Sequence, residues 1–370
     1  MKQISMVEIR LTEEEVEAAV AVLRSGALRQ GRECDAFEEE FAEKVGARYA
    51  VTSASGTAAL HLAYMAFLEP GDEVLVPSFT FFATASSVVA AGGRPVFCDL
   101  DPRTLTIDPQ DAERRVTSRT RAISPVHMYG NPCDVAAVRS LAEKHGLRVV
   151  WDAAQAHGAA YDGRDVGSFG DFAAYSFYPS KNMFVGEGGM TTTQDRDLYT
   201  RMRYLRSHGE TEKYVHTMMG LNYRMTDVEA AIGRGQLRRL DSMLAVRRRN
   251  AEALTEGLAS VEGIRPQGLQ EHGLHAFHQY GFLVDEARFG ISRDELGRRL
   301  TAAGIMNGVV YPWGLHEQPV FERMLGKQEL PRTEAVTRRV LCVPVHHGLS
   351  EQDTARIVEA VRDAPHAVPR

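Results

Sequence analysis

Residues 172–189 read Phe172-Ala-Ala-Tyr-Ser-Phe-Tyr-Pro-Ser-Lys-Asn-Met-Phe-Val-Gly-Glu-Gly-Gly189, and residues 148–152 read Arg148-Val-Val-Trp-Asp152. Each stretch begins with a short apolar run, which is typical of a buried strand. The first run closes at Ser176, with Lys181 five residues beyond it, and the second closes at Asp152. Ligands of open α/β sheets bind in the crevice outside the carboxyl ends of the strands. The two stretches therefore predict a sheet edge that carries a serine, a lysine and an aspartate.

The same pattern extends from residue 50 to about residue 195. Apolar runs at 73–77, 95–99 and 121–126 alternate there with helix-like segments. This alternation is typical of βαβ units. The sequence therefore predicts an α/β fold with a mainly parallel sheet covered by helices on both faces.

Capping boxes predict where two of the helices begin. Thr12-Glu-Glu-Glu15 predicts a helix that ends at Ser25-Gly26, and a second helix is expected from about Asp35. Thr226-Asp-Val-Glu229 predicts a long helix that continues towards Leu254.

A smaller unit is expected after the long helix. Apolar runs at 277–284 and 340–345 alternate with helix-like segments, one of them beginning at Ser292. This sequence of elements predicts a small α/β domain. We place the boundary within the long helix, between a large cofactor-binding domain (1–245) and a small C-terminal domain (246–370).

Composition argues against several classes of protein. Hydrophobic residues make up 44% of the chain and charged residues 25%, values typical of globular proteins. No apolar stretch is long enough to cross a bilayer, and the first ten residues lack the apolar core of a secretory signal. We therefore expect no membrane association and a location in the cytoplasm. A formal net charge of −6 gives no electrostatic footprint for nucleic acid.

The cysteines and histidines do not predict a metal site. The four cysteines lie far apart and form no Cys-x-x-Cys pair, which argues against both a disulfide framework and a zinc site and predicts reduced thiols. His272, His275 and His278 are spaced by three, but no carboxylate or thiol lies at matching intervals. We expect no bound metal.

Lys181, Asp152 and Ser176 offer the three kinds of group that pyridoxal phosphate requires. Its aldehyde needs an amine for a Schiff base, its ring nitrogen needs a carboxylate to stay protonated, and its phosphate needs hydroxyl or N–H donors. Taken singly, Lys181 could be a surface lysine and Asp152 a helix cap. Their occurrence together predicts a pyridoxal phosphate site.

Three further positions could contact this cofactor. The small-residue turn Ser53-Ala-Ser-Gly56-Thr57 precedes an apolar helix whose first N–H groups could point at a phosphate, although a simple hydroxyl cap explains it equally well. Gln155 could reach the ring hydroxyl, or it could be a surface amide. Phe81 could stack on the ring, or it could be a core aromatic.

The chain resembles the DegT/StrS-type sugar aminotransferase family, whose members are fold type I, pyridoxal phosphate-dependent aminotransferases. The resemblance covers nearly the whole chain. Its motifs are, in order, Ser55-Gly-Thr-Ala-Ala-Leu60, Gly71-Asp-Glu-Val-Leu-Val-Pro-Ser-Phe-Thr-Phe81, Pro125-Val-His-Met-Tyr-Gly130, Asp152-Ala-Ala-Gln-Ala-His-Gly158, Ser176 to Gly189, and Leu221-Asn-Tyr-Arg-Met225. It implies a large domain with a helix-covered sheet and a smaller C-terminal α/β domain.

The resemblance also implies roles for individual residues. Lys181 forms the internal aldimine and then shuttles a proton between the substrate carbon and the cofactor. Asp152 pairs with the ring nitrogen, and Gln155 contacts the ring hydroxyl. The resemblance assigns the remaining cofactor contacts to Gly56, Thr57 and Ser176 at the phosphate, Phe81 stacked on the ring, and Asn222 from the partner subunit. The active unit is then a homodimer with active sites at its interface.

The resemblance implies transamination by a ping-pong mechanism, because branches that perform dehydration replace the lysine with histidine. L-glutamate or glutamine is the expected amino donor, and a 3- or 4-keto nucleotide sugar is the expected acceptor. A keto-cyclitol resembling an inosose, or another natural-product ketone, is the alternative acceptor. A non-catalytic regulator that binds the cofactor is a further alternative. The segment Ala27-Leu-Arg-Gln30 departs from the commoner family pattern, which leaves the acceptor open.

Overall fold

The computed structural model describes residues 3–366. Its strands, in chain order, are β1 (Tyr49–Ser53), β2 (Glu73–Pro77), β3 (Arg94–Cys98), β4 (Thr120–Ile123), β5 (Arg148–Asp152), β6 (Ala160–Tyr161), β7 (Arg164–Asp165), β8 (Phe172–Ser176), β9 (Gly189–Thr193), β10 (Glu210–Glu212), β11 (Val215–His216), β12 (Ile264–Pro266), β13 (Gly273–Leu274), β14 (Tyr280–Val284) and β15 (Val340–Val343). Its α-helices are α1 (Glu13–Ser25), α2 (Arg32–Val45), α3 (Gly56–Met65), α4 (Phe82–Ala90), α5 (Pro109–Arg114), α6 (Val135–His145), α7 (Arg196–Arg206), α8 (Asp227–Leu258), α9 (Glu286–Phe289), α10 (Arg293–Ala302), α11 (Pro319–Leu325), α12 (Pro331–Thr337) and α13 (Glu351–Asp363).

A seven-stranded sheet with the order β1-β9-β8-β5-β4-β2-β3 forms the centre of the large domain. The strands from β3 across to β8 are parallel, and β9 runs antiparallel to both β1 and β8. Two apolar cores pack on the sheet. The predicted α/β fold with a mainly parallel sheet is confirmed, and all five predicted strands lie in the sheet.

Two strands of this sheet were not predicted. β1 and β9 pair in register from Tyr49 opposite Thr193 to Ser53 opposite Gly189. Threonines make up much of β9, so its sequence resembles a polar segment rather than a buried strand. Threonine is nevertheless β-branched and suits a pleated surface. The Thr191 and Thr192 hydroxyls also donate to the main-chain carbonyls of Ala59 and Gly167, and this makes their burial possible.

The helices predicted from capping boxes begin where expected. Thr12 caps α1 and Thr226 caps α8, each with a reciprocal glutamate. α2, by contrast, begins at Arg32 rather than near Asp35. Its first turn is capped from α8, because Asp227 Oδ1 accepts hydrogen bonds from the N–H groups of Gly31 (2.7 Å) and Cys34 (3.1 Å).

The C-terminal part contains a three-stranded antiparallel sheet with the order β12-β14-β15 and its own apolar core. α8 contributes to both parts of the chain, since Leu244 packs in the large core and Ala251 in the C-terminal core. Ile4 also packs in the C-terminal core and bridges to Ile305, although it lies at the start of the chain. The domain boundary at residue 245 stays a prediction. Across residues 3–366, no helix is long and apolar enough to span a bilayer.

Candidate active site

The carboxyl ends of neighbouring strands bring the predicted cofactor residues together. β5 ends at Asp152 and the adjacent β8 ends at Ser176, with Lys181 on the loop that follows. Side chains from these strand ends, from the start of α3 and from the segment before α4 line one pocket of about 430 Å³. Its lining includes Gly56, Thr57, Phe81, Asp152, Gln155, Ser176 and Lys181. Seven of the eight predicted site residues therefore meet in one place.

Asp152 is a buried carboxylate with two hydrogen-bond donors. Thr84 Oγ1 donates to its Oδ2 (2.7 Å), and the Ala154 N–H donates to its Oδ1 (3.1 Å). Burial raises the pKa of Asp152, while these hydrogen bonds and the charge of Lys181 oppose the rise. Residues 153–158 form turns rather than a helix, so the helix-cap interpretation is wrong. A protonated ring nitrogen would supply the cation that this buried carboxylate suits.

Lys181 lies in the same pocket and is half-buried. Burial lowers the pKa of its amine to about 8, and the negative charge of Asp152 opposes that shift. At such a pKa, about one lysine in ten is neutral at pH 7, compared with about one in a few thousand at the ordinary value. The surroundings of Lys181 therefore favour the neutral amine that a Schiff base needs.

The start of α3 forms a cradle with Ser176. Ser55 caps this helix by accepting a hydrogen bond from the Ala58 N–H (3.1 Å). The N–H groups of a first helical turn have no intrahelical partner, and those of Gly56 and Thr57 belong to residues that line the pocket. A Cβ at position 56 would lie 2.5 Å from Ser176 Cβ, so only glycine permits this approach. The cap and a phosphate site are compatible here.

Gln155 is buried, so the interpretation as a surface amide is wrong. Its Oε1 accepts a hydrogen bond from the Tyr129 N–H (2.8 Å), and its Nε2 donates to Tyr311 Oη (3.2 Å). Gln155 thus connects the loop after β4 with the segment that carries Tyr311. Its contact with a ring hydroxyl stays a prediction.

Phe81 is not a core aromatic either, because 55% of its surface is exposed. Its ring centroid lies 6.0 Å from that of Tyr311 at the pocket. Asn222 is exposed and lies outside the lining of this pocket, where it bridges to Ser207.

The three evenly spaced histidines diverge. The segment is not helical, so a spacing of three does not align their side chains. The His272 side chain is exposed, and His275 bonds to Gln267 Oε1 through Nε2 and to the Phe277 N–H through Nδ1. Only His278 lines the cofactor pocket. Within residues 3–366, no group of three side chains is arranged to hold a metal ion.

Sequence reasoning did not assign roles to Thr84 and Tyr311. Thr84 holds the carboxylate of Asp152 from within α4, and nothing in the local sequence marks it. Tyr311 reaches the pocket from the C-terminal part of the chain.

The residues present fit pyridoxal phosphate. A buried carboxylate suits a cationic ring nitrogen, a lysine with a lowered pKa suits a Schiff base, and a glycine–serine cradle at a helix N-terminus suits a phosphate. These groups are Asp152, Lys181, and the pair formed by Gly56 and Ser176.

Comparisons with known proteins agree with this site. Residues 10–362 match the DegT/DnrJ/EryC1/StrS aminotransferase family. A UDP-N-acetyl-3-dehydro-alpha-D-glucosamine 3-aminotransferase of Acidithiobacillus ferrooxidans is 38% identical, with 98% of each chain covered. A GDP-perosamine synthase of Caulobacter vibrioides is 40% identical, with 90% of each chain covered. The crystal structure of Streptomyces venezuelae DesV, in complex with a ketimine intermediate, has a TM-score of 0.95 and 37% identity over all of both chains.

These matches confirm the fold type I architecture, the aminotransferase activity and the cofactor. The match extends over nearly the whole chain, and the residues that such an enzyme requires meet in one pocket. The chain therefore belongs to the DegT/DnrJ/EryC1/StrS aminotransferase family, and it is a pyridoxal phosphate-dependent aminotransferase.

Proposed function

We propose that this enzyme transfers an amino group from L-glutamate or L-glutamine to a 3- or 4-keto sugar carried on a nucleotide, by a ping-pong mechanism. The observation that carries the proposal is the convergence of Lys181, Asp152 and the Gly56–Ser176 cradle in one pocket. The names of two relatives, one a UDP-sugar aminotransferase and the other a GDP-perosamine synthase, support a nucleotide-linked acceptor.

Asp152 controls the charge of the cofactor ring in this proposal. Pyridoxal phosphate, when bound, supplies an electron sink for the negative charge that develops on a substrate carbon. Asp152 holds the proton on the ring nitrogen, and Thr84 fixes the carboxylate through its 2.7 Å hydrogen bond. A neutral side chain at position 152 would let the ring lose that proton and would weaken the electron sink.

Lys181 moves the proton. Its Nζ would hold the cofactor in the resting enzyme, and in the reaction its free amine would take the proton from the substrate carbon. Because burial lowers its pKa to about 8, the amine can accept and release a proton near neutral pH.

The phosphate is held at the start of α3. The N–H groups of Gly56 and Thr57 and the hydroxyl of Ser176 would donate to it, and the positive end of the helix dipole favours its charge. Phe81 would cover one face of the ring from the pocket mouth, and Gln155 would contact the ring hydroxyl.

The active unit in this proposal is a homodimer. Asn222 lies outside the pocket of its own chain, which agrees with a contribution to the phosphate site of a partner. The segment that precedes Asn222 in the chain also carries exposed apolar side chains, Tyr214 (81% exposed) and Met219 (91% exposed). Apolar surface of this kind is typical of an interface.

The proposed location is the cytoplasm. The four cysteines, Cys34, Cys98, Cys133 and Cys342, are all free and buried. Free thiols suit a reducing compartment.

Borohydride reduction tests the site. The holoenzyme should retain cofactor covalently after reduction, and peptide mapping should place it on Lys181. Lys181→Ala should lose this trapping, whereas Lys327→Ala, which changes an exposed lysine, should keep it. Trapping on another lysine would contradict the assignment.

A panel of acceptors tests the substrate class. After the donor has aminated the cofactor, the enzyme should transfer this amino group to nucleotide-linked 3- or 4-keto sugars. Faster discharge by a keto-inositol would favour the cyclitol alternative. Failure of every amino donor to load the cofactor would favour the regulator alternative.

A further inference from the structure

A group of polar side chains, most of them buried, lies near Lys181. We call His157, Asn182, Arg247, His278 and His347 the seam cluster. In the described part of the chain, nine buried side-chain nitrogen and oxygen atoms have no hydrogen-bond partner, and six of them belong to this cluster. They are both ring nitrogens of His157, Asn182 Oδ1, Arg247 Nε, and the Nδ1 atoms of His278 and His347. Such a concentration calls for a physical explanation.

Main-chain carbonyls hold the cluster together. Asn182, next to Lys181, donates to the Ala276 carbonyl (2.9 Å), which fixes its Oδ1 as the atom left over. Arg247 of α8 donates through Nη1 to the neighbouring Phe277 carbonyl (3.1 Å). The loop that carries Lys181 and the helix α8 therefore meet at the same irregular segment, which continues into His278.

His157 belongs to the seam cluster and lies on the loop after β5. Its neighbour Gly158 is held against α8, because Arg248 Nη2 donates to the Gly158 carbonyl (2.8 Å). The His157 ring packs against two aromatic rings, with centroids 5.3 Å from Tyr175 and 5.6 Å from Phe177. The faces of this ring thus contact aromatic side chains. The Ser176 main chain approaches the ring, but neither nitrogen makes a hydrogen bond of ordinary geometry.

The cluster reaches from the cofactor pocket towards the surface. His278 lines the pocket at one end, and His347 at the other end is half-buried, beside the exposed Gly348. Burial lowers the pKa of His157 to about 3 and that of His347 to about 4, and nearby positive charges, including Arg247, lower both further. Burial also holds the pKa of His278 well below its usual value. All three rings are neutral at pH 7, and each then has one donor and one acceptor nitrogen.

Water satisfies these atoms better than an ion does. Arg247 Nε is a donor and Asn182 Oδ1 is an acceptor, so the seam offers both kinds of group. A metal ion would be repelled by the charges of Arg247 and Lys181, and an anion would face the Asn182 oxygen. Buried water that makes two to four hydrogen bonds to such groups is a regular part of globular proteins.

We propose that water held by the seam cluster relays protons between Lys181 and the solvent at His347. The proposal rests on the role of Lys181 as proton carrier in the proposed function. The Lys181 ammonium gives a proton to the nearest water, and each neutral histidine accepts one proton at one nitrogen while it releases another. A proton returned from solvent restores the starting state, so the net charge of the seam does not change.

The position of the pocket mouth gives this route a purpose. Phe81 is 55% exposed and lines the pocket together with Lys181, so a nucleotide-linked acceptor bound against Phe81 would cover the opening. A bound acceptor would then separate Lys181 from solvent at the front. The seam cluster, which includes the pocket residue His278 and the half-buried His347, offers a second route to solvent.

A single-turnover label experiment tests the relay. Holoenzyme is mixed with L-glutamate deuterated at Cα, and the deuterium on the methylene carbon of the released, aminated cofactor is measured by mass spectrometry. If the relay operates, the deuteron that Lys181 takes from glutamate exchanges with solvent protons before Lys181 transfers a proton to the cofactor carbon. His157→Phe replaces the ring between Tyr175 and Phe177 with an apolar ring of similar shape, and the retained deuterium should rise severalfold.

His275→Phe is the matched control. His275 is buried in the same segment, but both of its nitrogens are bonded within the protein. Its replacement should lower stability and leave the retained deuterium at the wild-type level. If His157→Phe fails to fold, Arg247→Met gives the same test from α8. Equal retention in the wild type and in the seam variants would overturn the relay.

A high-resolution crystal structure of the holoenzyme gives an independent test. It should show ordered water within hydrogen-bonding distance of Asn182 Oδ1 and Arg247 Nε, and a dry seam would overturn the proposal. If glutamate does not aminate the wild-type cofactor, the donor assignment in the proposed function is wrong. The crystal structure then decides the relay by itself.

Discussion

Replacement of Gly56 by alanine should separate cofactor binding from the stability of the fold. Gly56 opens α3, and an alanine Cβ there would lie 2.5 Å from Ser176 Cβ and 2.9 Å from Ser176 Oγ. Ordinary carbon contacts are about 3.5–4.0 Å, so α3 and the end of β8 must separate by about 1 Å or more. The two donor groups of the proposed phosphate cradle would move apart.

The expected magnitudes differ for the empty and the loaded protein. Overpacking costs about 1–3 kcal/mol, and alanine regains up to about 1 kcal/mol of helix propensity relative to glycine. The net loss in unfolding free energy of the empty protein should therefore be about 0–3 kcal/mol. Loss of one good hydrogen bond to a charged phosphate costs about 1.5–3 kcal/mol. The dissociation constant for pyridoxal phosphate should rise about tenfold to a hundredfold.

Titration of the cofactor-depleted enzyme with pyridoxal phosphate, followed by visible absorbance, measures this dissociation constant. A denaturant melt of the cofactor-depleted enzyme measures its stability. Gly308→Ala is the control, because a Cβ there meets nothing within 4 Å. It should change neither quantity. If Gly56→Ala binds pyridoxal phosphate with wild-type affinity, the phosphate does not occupy the cradle between α3 and β8.

Three further predictions concern the catalytic groups. Lys181→Ala should abolish turnover while the protein still binds the cofactor noncovalently, as measured by absorbance after gel filtration; retained transamination would contradict the proposed role. Asp152→Ala should lose far more activity than Gln155→Ala in a steady-state assay, because only Asp152 keeps the ring protonated, and equal losses would mean that the ring nitrogen lies elsewhere. Cofactor-depleted Lys181→Met should be more stable than the wild type at pH 7. Burial lowers the Lys181 pKa to about 8, so at pH 7 the folded wild type bears the cost of a charged amine in a buried site, which methionine removes. The unfolded chain binds more protons than the folded chain only between about pH 8 and the ordinary lysine pKa, so the advantage in denaturant melts should shrink over that range.

The parallel strands could be predicted because their local sequence carries the signal. β2 and β5 are short strands with apolar centres, Val74-Leu-Val76 and Val149-Val-Trp151, as strands buried on both faces require. β9 was not predicted because its buried threonines donate to main-chain carbonyls that are distant in sequence, such as that of Ala59. The first residue of α2 was not predicted for a similar reason, because Asp227 of the distant helix α8 caps it.

In the candidate site, too, some residues carry a local sequence signal and others are placed only by contacts with distant parts of the chain. Lys181, Asp152 and Ser176 lie at or just beyond strand ends, where the topology of an open sheet brings side chains together. Thr84 and Tyr311 reach the site through tertiary packing, and no local pattern marks their contacts. The spacing of the three histidines gave no reliable prediction because the segment is irregular, and of the three only His278 lines the pocket.

The absorption spectrum of the holoenzyme through one complete cycle tests the central claim most directly. L-glutamate should bleach the visible band of the cofactor linked to Lys181, and a nucleotide-linked 3- or 4-keto sugar, added after the donor is removed, should restore it. Bleaching followed by recovery would establish both half-reactions on one site. A band that glutamate and glutamine leave unchanged, or that no keto sugar restores, would contradict the proposed amino transfer.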